Sequence, residues 1–197
     1  MRWPVFIDTE PMVDAWSVGQ RVGAPLRWCD GLDLPDDLTV RDVAARARLL
    51  YGADGQPLGQ LLTAAGVTAA RTGRTDTGPI RVSGCLYFDR HFHAVGGQVP
   101  PTVGVVRQVR VVLHLHERGA ESWIRRPGVT RTIDVPDTSA ERLRDDPDPI
   151  DRPPDGEVSA PGSLIFLSTT HYRRLHGDRL PARQWQARGF LVHLDVN

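Results

Sequence analysis

The 197-residue chain contains no lysine, because all 24 of its basic residues are arginine. This absence excludes mechanisms that need a lysine amine, including Schiff-base chemistry and the attachment of pyridoxal phosphate. It also excludes a P-loop, whose lysine contacts the bound phosphates.

Cysteine and long apolar runs are also scarce. Only Cys29 and Cys85 are present, so there is no disulfide framework, and both thiols are expected to be buried. No apolar run approaches the roughly 18–20 residues of a membrane helix. Residues 1–11 lack the apolar segment of a signal peptide. These features predict a cytoplasmic protein with no membrane partner.

Charges of opposite sign are segregated along a chain whose net charge is zero. Residues 100–133 carry six arginines against two glutamates, whereas residues 134–157 carry nine acidic residues against three arginines. Neutrality makes nucleic acid an unlikely partner, because non-specific binding of nucleic acid depends on positive charge. A basic patch for phosphate or an acidic partner is a further possibility. Its candidate residues are Arg107, Arg110, Arg125 and Arg126.

Apolar alternation indicates a mainly β (α+β) fold, a small β-barrel or sandwich. Residues 102–117 predict a long strand, and residues 189–196 predict the last strand. The expected buried face of the first carries Val103, Val105, Val109, Val111, Leu113 and Leu115, and that of the second carries Phe190, Val192, Leu194 and Val196. Other predicted strands cover residues 17–28, 80–92, 122–135 and 163–168.

A short helical insertion is expected over about 38–66, within one domain spanning 1–197. Residues 39–51 have apolar side chains at helical spacing, Thr39 as a possible N-cap and Gly52 as a stop. Residues 57–66 indicate a second short helix. The acidic, proline-rich stretch at about 140–160 predicts a mobile loop.

Three segments, "SVGQRV", "GVVRQVRVV" and "GFLVHLDV", resemble an uncharacterised actinobacterial family of small proteins of unknown function. The resemblance covers about half of the chain, over residues 1–28, 84–135 and 187–197. Its motifs are patterns of core residues. The resemblance therefore implies no activity, and it assigns no catalytic residue.

A metal site is suggested by "DRHFHAVGG", in which His91 and His93 point to one face of a strand. Together with Asp89 they supply two imidazoles and a carboxylate, a minimal set for zinc, iron or manganese. The stretch resembles the first motif of cupins, with Gln98 where those proteins usually have glutamate. The second cupin motif does not follow at the required spacing.

The pair His114 and His116 raises the question of one four-histidine site. If residues 80–93 and 102–117 form a hairpin, His91 lies opposite Gly104. Ten residues separate Gly104 from His114, which is roughly 33 Å along a strand. This register predicts that the two histidine pairs do not share a metal ion.

These sequence features leave three functions open. The first is a cytoplasmic, non-enzymatic binding module for an unknown protein or small molecule, with no cofactor and no catalytic residue. The second is a cupin-like enzyme that uses a divalent metal held by His91, His93, Asp89 and Gln98. The third is a nucleic-acid-binding protein.

Overall fold

The computed structural model describes residues 1–8, 14–30, 39–89, 96–119, 122–139, 142 and 183–196. These residues form ten strands and one 3-10 turn, Gly96–Gln98. The strands are β1 (Arg2–Asp8), β2 (Arg21–Ala24), β3 (Leu26–Cys29), β4 (Val40–Tyr51), β5 (Pro57–Ala64), β6 (Val67–Thr72), β7 (Gly78–Phe88), β8 (Thr102–Arg118), β9 (Trp123–Val135) and β10 (Arg183–Asp195). The predicted mainly β class is confirmed.

Five of the strands, β3 to β7, close into a small barrel. Going round the barrel the neighbours are β7, β3, β6, β5 and β4, and β4 pairs again with β7. The pair of β3 and β6 is parallel, and the other four pairs are antiparallel. Apolar side chains fill the interior, among them Leu26, Trp28, Ala45, Ala47, Leu62, Val67, Ala69, Val82 and Leu86.

Strand β7 also belongs to an open sheet that extends away from the barrel. β1 pairs with β7 in parallel, β10 pairs with β1, and β8 pairs with β10. The other side of β8 pairs with β2 near its start and with β9 farther along. The side chains on the inner face of this sheet join the barrel interior in one core, including Trp3, Val5, Ile7, Val109, Val111, Leu113, Phe190, Val192 and Leu194.

The predicted helical insertion is wrong, because residues 40–51 and 57–64 are strands β4 and β5. In β4, Ala45 and Ala47 are buried while Arg46 and Arg48 are exposed. This alternation has the period of a strand. Alanine, arginine and leucine favour helices, but pairing with β5 and β7 overrides that preference.

A tight turn, rather than a helix end, follows β5. Ala65 and Gly66 both have positive φ, 42° and 83°, and they connect β5 to β6. Two-residue hairpin turns of this kind match the right-handed twist of the paired strands. The register Ala64↔Val67 continues to Gly59↔Thr72, so the two strands form a regular hairpin.

The predicted hairpin of residues 80–93 with residues 102–117 is also wrong. β1 and β10 lie between β7 and β8 in the sheet. The partner of β8 is the last strand of the chain, with Val109 opposite Val192 and Val111 opposite Phe190. Both pairs are buried, which satisfies the apolar face of β8 as well as a hairpin would.

The predicted buried faces are mostly confirmed. Val109, Val111, Leu113 and Leu115 are buried on β8, and Phe190, Val192, Leu194 and Val196 are buried at the end of the chain. Val103 and Val105 are exceptions, because Val103 is 40% exposed and Val105 is only half-buried. A register shift between His193 and Leu194 changes the alternation there and buries Val106 instead.

Pro25 interrupts the stretch that was predicted as one strand. β2 ends before it and pairs with β8, whereas β3 begins after it and pairs with β6 and β7. Proline lacks the amide donor that a continuous ladder needs. Residues 143–160 of the predicted acidic loop and the predicted strand 163–168 lie outside the described residues. None of the described segments is a helix that could cross a membrane.

Candidate functional site

The structure describes two of the four candidate metal ligands, since His91 and His93 lie outside the described residues. The carboxylate of Asp89 accepts a hydrogen bond from Nη1 of Arg27 at 2.7 Å. The side-chain amide of Gln98 donates to the carbonyl oxygen of Tyr51 at 2.6 Å. Asp89 thus joins β7 to β3, and Gln98 fixes the start of the segment that leads to β8.

Asp89 and Gln98 lie near opposite ends of β7. Asp89 follows Phe88 at the end of the strand. Gln98 is bound to Tyr51, which lies beyond the pair Ala47↔Gly78 at the other end. The structure therefore does not bring these two residues together. Within the described ranges, no group of three or more His, Cys, Asp or Glu side chains is arranged to hold a metal ion.

The second histidine pair, His114 and His116, lies near the C-terminal end of β8. His114 is only 2% exposed and lies opposite Gln186 of β10 and Thr130 of β9. Nδ1 of His116 is 3.2 Å from the carbonyl oxygen of His114. Burial lowers the pKa of His116, so this imidazole is neutral at pH 7.

The four arginines of the predicted basic patch do not form one cluster. Arg125 and Arg126 are consecutive in β9, so their side chains leave opposite faces of the sheet. Arg126 is paired with Glu117 at 2.7 Å. Arg107 is paired with Asp195. Arg107 lies on β8 nine residues before His116, and His116 is the residue opposite Arg125. Arg110 lies between them on β8, opposite Leu191.

A different group of arginines lies together, on the outside of the barrel. We call the outward surface of β5, β4 and β7 around Arg46, Arg48 and Arg81 the arginine face. Ala45 and Ala47 of β4 point into the core, so the alternating arginines between and after them point outward. All three arginine side chains are exposed.

Strand pairing fixes the geometry of the arginine face. Arg46 lies opposite Thr63 of β5 and Pro79 of β7. Arg48 is two residues farther along β4, roughly 7 Å away at about 3.4 Å per residue. Arg81 is two residues from Pro79 and is therefore a diagonal neighbour of Arg46, roughly 7–8 Å away.

The charge of this face is only partly neutralised. Nε and Nη2 of Arg81 both donate to the carboxylate of Asp42. This hydrogen bonding lowers the pKa of Asp42 below its usual range. Arg46 and Arg48 have no ion-pair partner among the described residues. Three guanidinium groups thus face one carboxylate, and the surface carries an excess of positive charge.

A second polar cluster lies where β1, β7 and β10 meet. The carboxylate of Asp8 accepts hydrogen bonds from the Tyr87 hydroxyl at 3.1 Å and from Nη1 of Arg188 at 2.5 Å. The guanidinium of Arg188 also lies 5.4 Å from the centre of the Phe6 ring. Burial, with a contribution from Asp8, raises the pKa of Tyr87, so the hydroxyl stays protonated and acts as a donor. This cluster holds three strands together and offers no deprotonated nucleophile.

Comparison with protein-family models, with curated proteins and with solved structures returns no match. Of the two polar surfaces, the arginine face has charges that the described residues leave unpaired. It is the candidate functional site.

Sequence reasoning missed the arginine face because it assigned Arg46 and Arg48 to a helix. The signal is present in "ARAR", residues 45–48, where alanine and arginine alternate. Alternation with period two predicts a strand that is buried on one side and charged on the other. The third member, Arg81, could not have been added without the pairing of β4 and β7.

Proposed function

We propose that this chain is a non-enzymatic, cytoplasmic binding module that docks an extended acidic segment of a partner protein on the arginine face. The observation that carries the proposal is the exposed pair Arg46 and Arg48, which lacks an ion-pair partner in the described part of the chain. Eight other arginines of that part are paired with a carboxylate.

The spacing of the two arginines favours an extended peptide. Alternate residues of a strand lie roughly 7 Å apart on one face. Acidic side chains at alternate positions of an extended peptide have the same separation, so each can meet one guanidinium. Arginine also binds carboxylates through two parallel hydrogen bonds. Both edges of β4 are already paired, so the partner is bound by side chains and does not add a strand to the sheet.

Nucleic acid fits this surface less well. Proteins that bind single strands combine a basic groove with aromatic side chains on which bases stack. The described residues that lie beside the three arginines on this face include Ala44, Leu61, Thr63, Pro79 and Ser83, and none of them is aromatic. Three guanidinium groups offset by one carboxylate also make few phosphate contacts, in a chain of zero net charge.

A binding experiment with two double variants tests the proposal. The probe is a fluorescein-labelled peptide of alternating glutamate and serine, titrated at low ionic strength and followed by anisotropy. Arg46→Glu with Arg48→Glu should weaken binding by tenfold or more, which corresponds to about 1.4 kcal/mol or more. The matched control, Arg107→Glu with Arg126→Glu, changes net charge equally on arginines that are already paired. It should stay within about twofold of the wild type.

Three outcomes would overturn the proposal. The first is a wild-type protein that does not bind the acidic peptide. The second is an equal loss of affinity in both double variants, which would indicate attraction by net charge alone. The third is tighter binding of an oligothymidine of equal charge than of the peptide, which would favour the nucleic-acid alternative. Elemental analysis of untagged protein tests the metal alternative separately.

A further inference from the structure

The only two cysteines of the chain lie directly opposite each other. Cys29 is the last residue of β3, and Cys85 is its Cα partner in the antiparallel pairing of β3 with β7. Directly opposed residues of such a pair point to the same side of the sheet. Trp28 points into the barrel, so both thiols lie on the outer side of the wall. Both are free thiols.

This position satisfies the Cα separation that a disulfide requires. Opposed residues of an antiparallel pair have Cα atoms about 4.5 or 5.5 Å apart, depending on the hydrogen-bonding pattern. Disulfides span Cα separations of about 4.4–6.8 Å. A bond between Cys29 and Cys85 therefore requires no separation or sliding of the two strands.

The two thiols differ in accessibility. Cys85 is fully buried against Phe6, Val112 and Leu191. Cys29 is only partly buried, so it is the more accessible cysteine of the two. We propose that Cys29 and Cys85 form a redox-sensitive pair, in which reversible oxidation closes a disulfide across the seam between β3 and β7.

The reaction balances with a low-molecular-weight disulfide such as oxidised glutathione as the oxidant. The Cys29 thiolate attacks one sulfur of glutathione disulfide, forms a mixed disulfide and releases one glutathione. Cys85 then loses its proton and attacks the Cys29 sulfur, which releases the second glutathione. Two protein thiols are oxidised by two electrons, and one glutathione disulfide is reduced to two thiols.

Burial makes this exchange slow at neutral pH. It raises the pKa of Cys29, and it raises the pKa of Cys85 to about 12. The thiolate is the attacking species, so the rate of oxidation should rise with pH above neutrality. A disulfide between Cys29 and Cys85 would close a covalent loop of the chain that contains β4, β5 and β6. Oxidation should therefore raise the melting temperature, by up to roughly 10 °C.

The test equilibrates the wild-type protein at pH 8.5 with reduced and oxidised glutathione in a series of ratios. Each sample is quenched with a thiol alkylating agent under denaturing conditions, and its intact mass is measured. The expected product is a monomer two hydrogens lighter that carries no alkyl group, and a reductant should restore the dithiol. Cys85→Ser should stop at one glutathionyl group, and Cys29→Ser should remain unmodified.

Two results would overturn the inference. One is double alkylation of the wild type at every ratio, which shows that no bond forms even though Cys29 is accessible. The other is a disulfide-linked dimer in place of the lighter monomer, because that product places the reactive thiol toward a second chain. Both readings use the wild-type protein, so they do not depend on the folding of a variant.

Discussion

The barrel and the open sheet share one apolar core, and each carries arginines paired with a carboxylate, among them Arg27, Arg71 and Arg81 on the barrel. In the open sheet, Arg107, Arg126 and Arg188 are each paired with a carboxylate on a neighbouring strand. On the barrel, Arg46 and Arg48 stand exposed without such a partner among the described residues. Two of these pairs, Arg107 with Asp195 and Arg188 with Asp8, connect strands that lie far apart in sequence. The unpaired arginines add nothing comparable to the fold, which leaves them available for a partner.

The largest expected effect tests whether the two regions fold as one unit. A Cβ atom on Gly84 would lie 2.2 Å from the carbonyl oxygen of Cys29, at the barrel seam. A Cβ atom on Gly189 would lie 2.2 Å from the carbonyl oxygen of Ile7, in the open sheet. Both glycines also have positive φ, 151° and 154°. Each substitution by alanine should lower the free energy of unfolding by about 3 kcal/mol or more.

Urea unfolding measures this loss, with Gly97→Ala as the control because a Cβ there meets nothing within 4 Å. If the core is shared, each variant unfolds in a single transition at lower urea. Two separate transitions in either variant would show that the barrel and the sheet are independent units. A change below about 1 kcal/mol would contradict the close backbone contact.

Alkaline pH should lower the free energy of unfolding through β7, the strand that the barrel and the open sheet share. Burial raises the pKa of Cys85 from its ordinary value of 9.0 to about 12. The folded state therefore retains this proton more tightly than the unfolded state. Its contribution to stability is complete below pH 9 and is lost as pH rises from about 9 to 12.

The slope should be about 1.4 kcal/mol per pH unit for this one proton. Tyr87 adds to it above pH 10, because its pKa is raised from 10.0. Urea unfolding between pH 8 and 10.5 measures the slope. Cys85→Ser should make it shallower, and an unchanged slope in this variant would show that the thiol does not titrate differently on unfolding.

A smaller effect separates paired from unpaired arginines directly. Arg188→Ala removes a hydrogen bond to Asp8 and the contact with the Phe6 ring, so we expect a loss of about 1 kcal/mol. Arg46→Ala removes neither kind of contact and should change stability by less than about 0.5 kcal/mol. Equal losses in thermal or urea unfolding would remove the distinction between the paired Arg188 and the unpaired Arg46.

Sequence patterns predicted which face of a strand is buried better than they predicted which strands pair with each other. The alternation of Val109, Val111 and Leu113 is a local property, and these residues are buried as expected. The partner of their strand is β10, more than seventy positions away along the chain, and no local pattern specifies that choice. A hairpin between β7 and β8 would bury the same apolar face. Only the completed sheet distinguishes the two arrangements.

The candidate site was less predictable than the fold. The basic patch predicted from charge density combined arginines of opposite faces, because Arg125 and Arg126 are consecutive in one strand. Arg46 and Arg48 lie in a segment whose composition favours a helix. Arg81, the third member of the arginine face, comes from another strand. A surface built from three strands depends on long-range pairing, which composition does not encode.

The most direct test of the central claim measures affinity and stability in the same two double variants. Arg46→Glu with Arg48→Glu should lose binding of the acidic peptide by tenfold or more, with an unchanged melting temperature. Arg107→Glu with Arg126→Glu should keep the affinity and melt at a lower temperature, because it breaks two ion pairs between strands. Loss of stability in the first variant, or loss of binding in the second, would contradict the assignment of the arginine face as the binding surface.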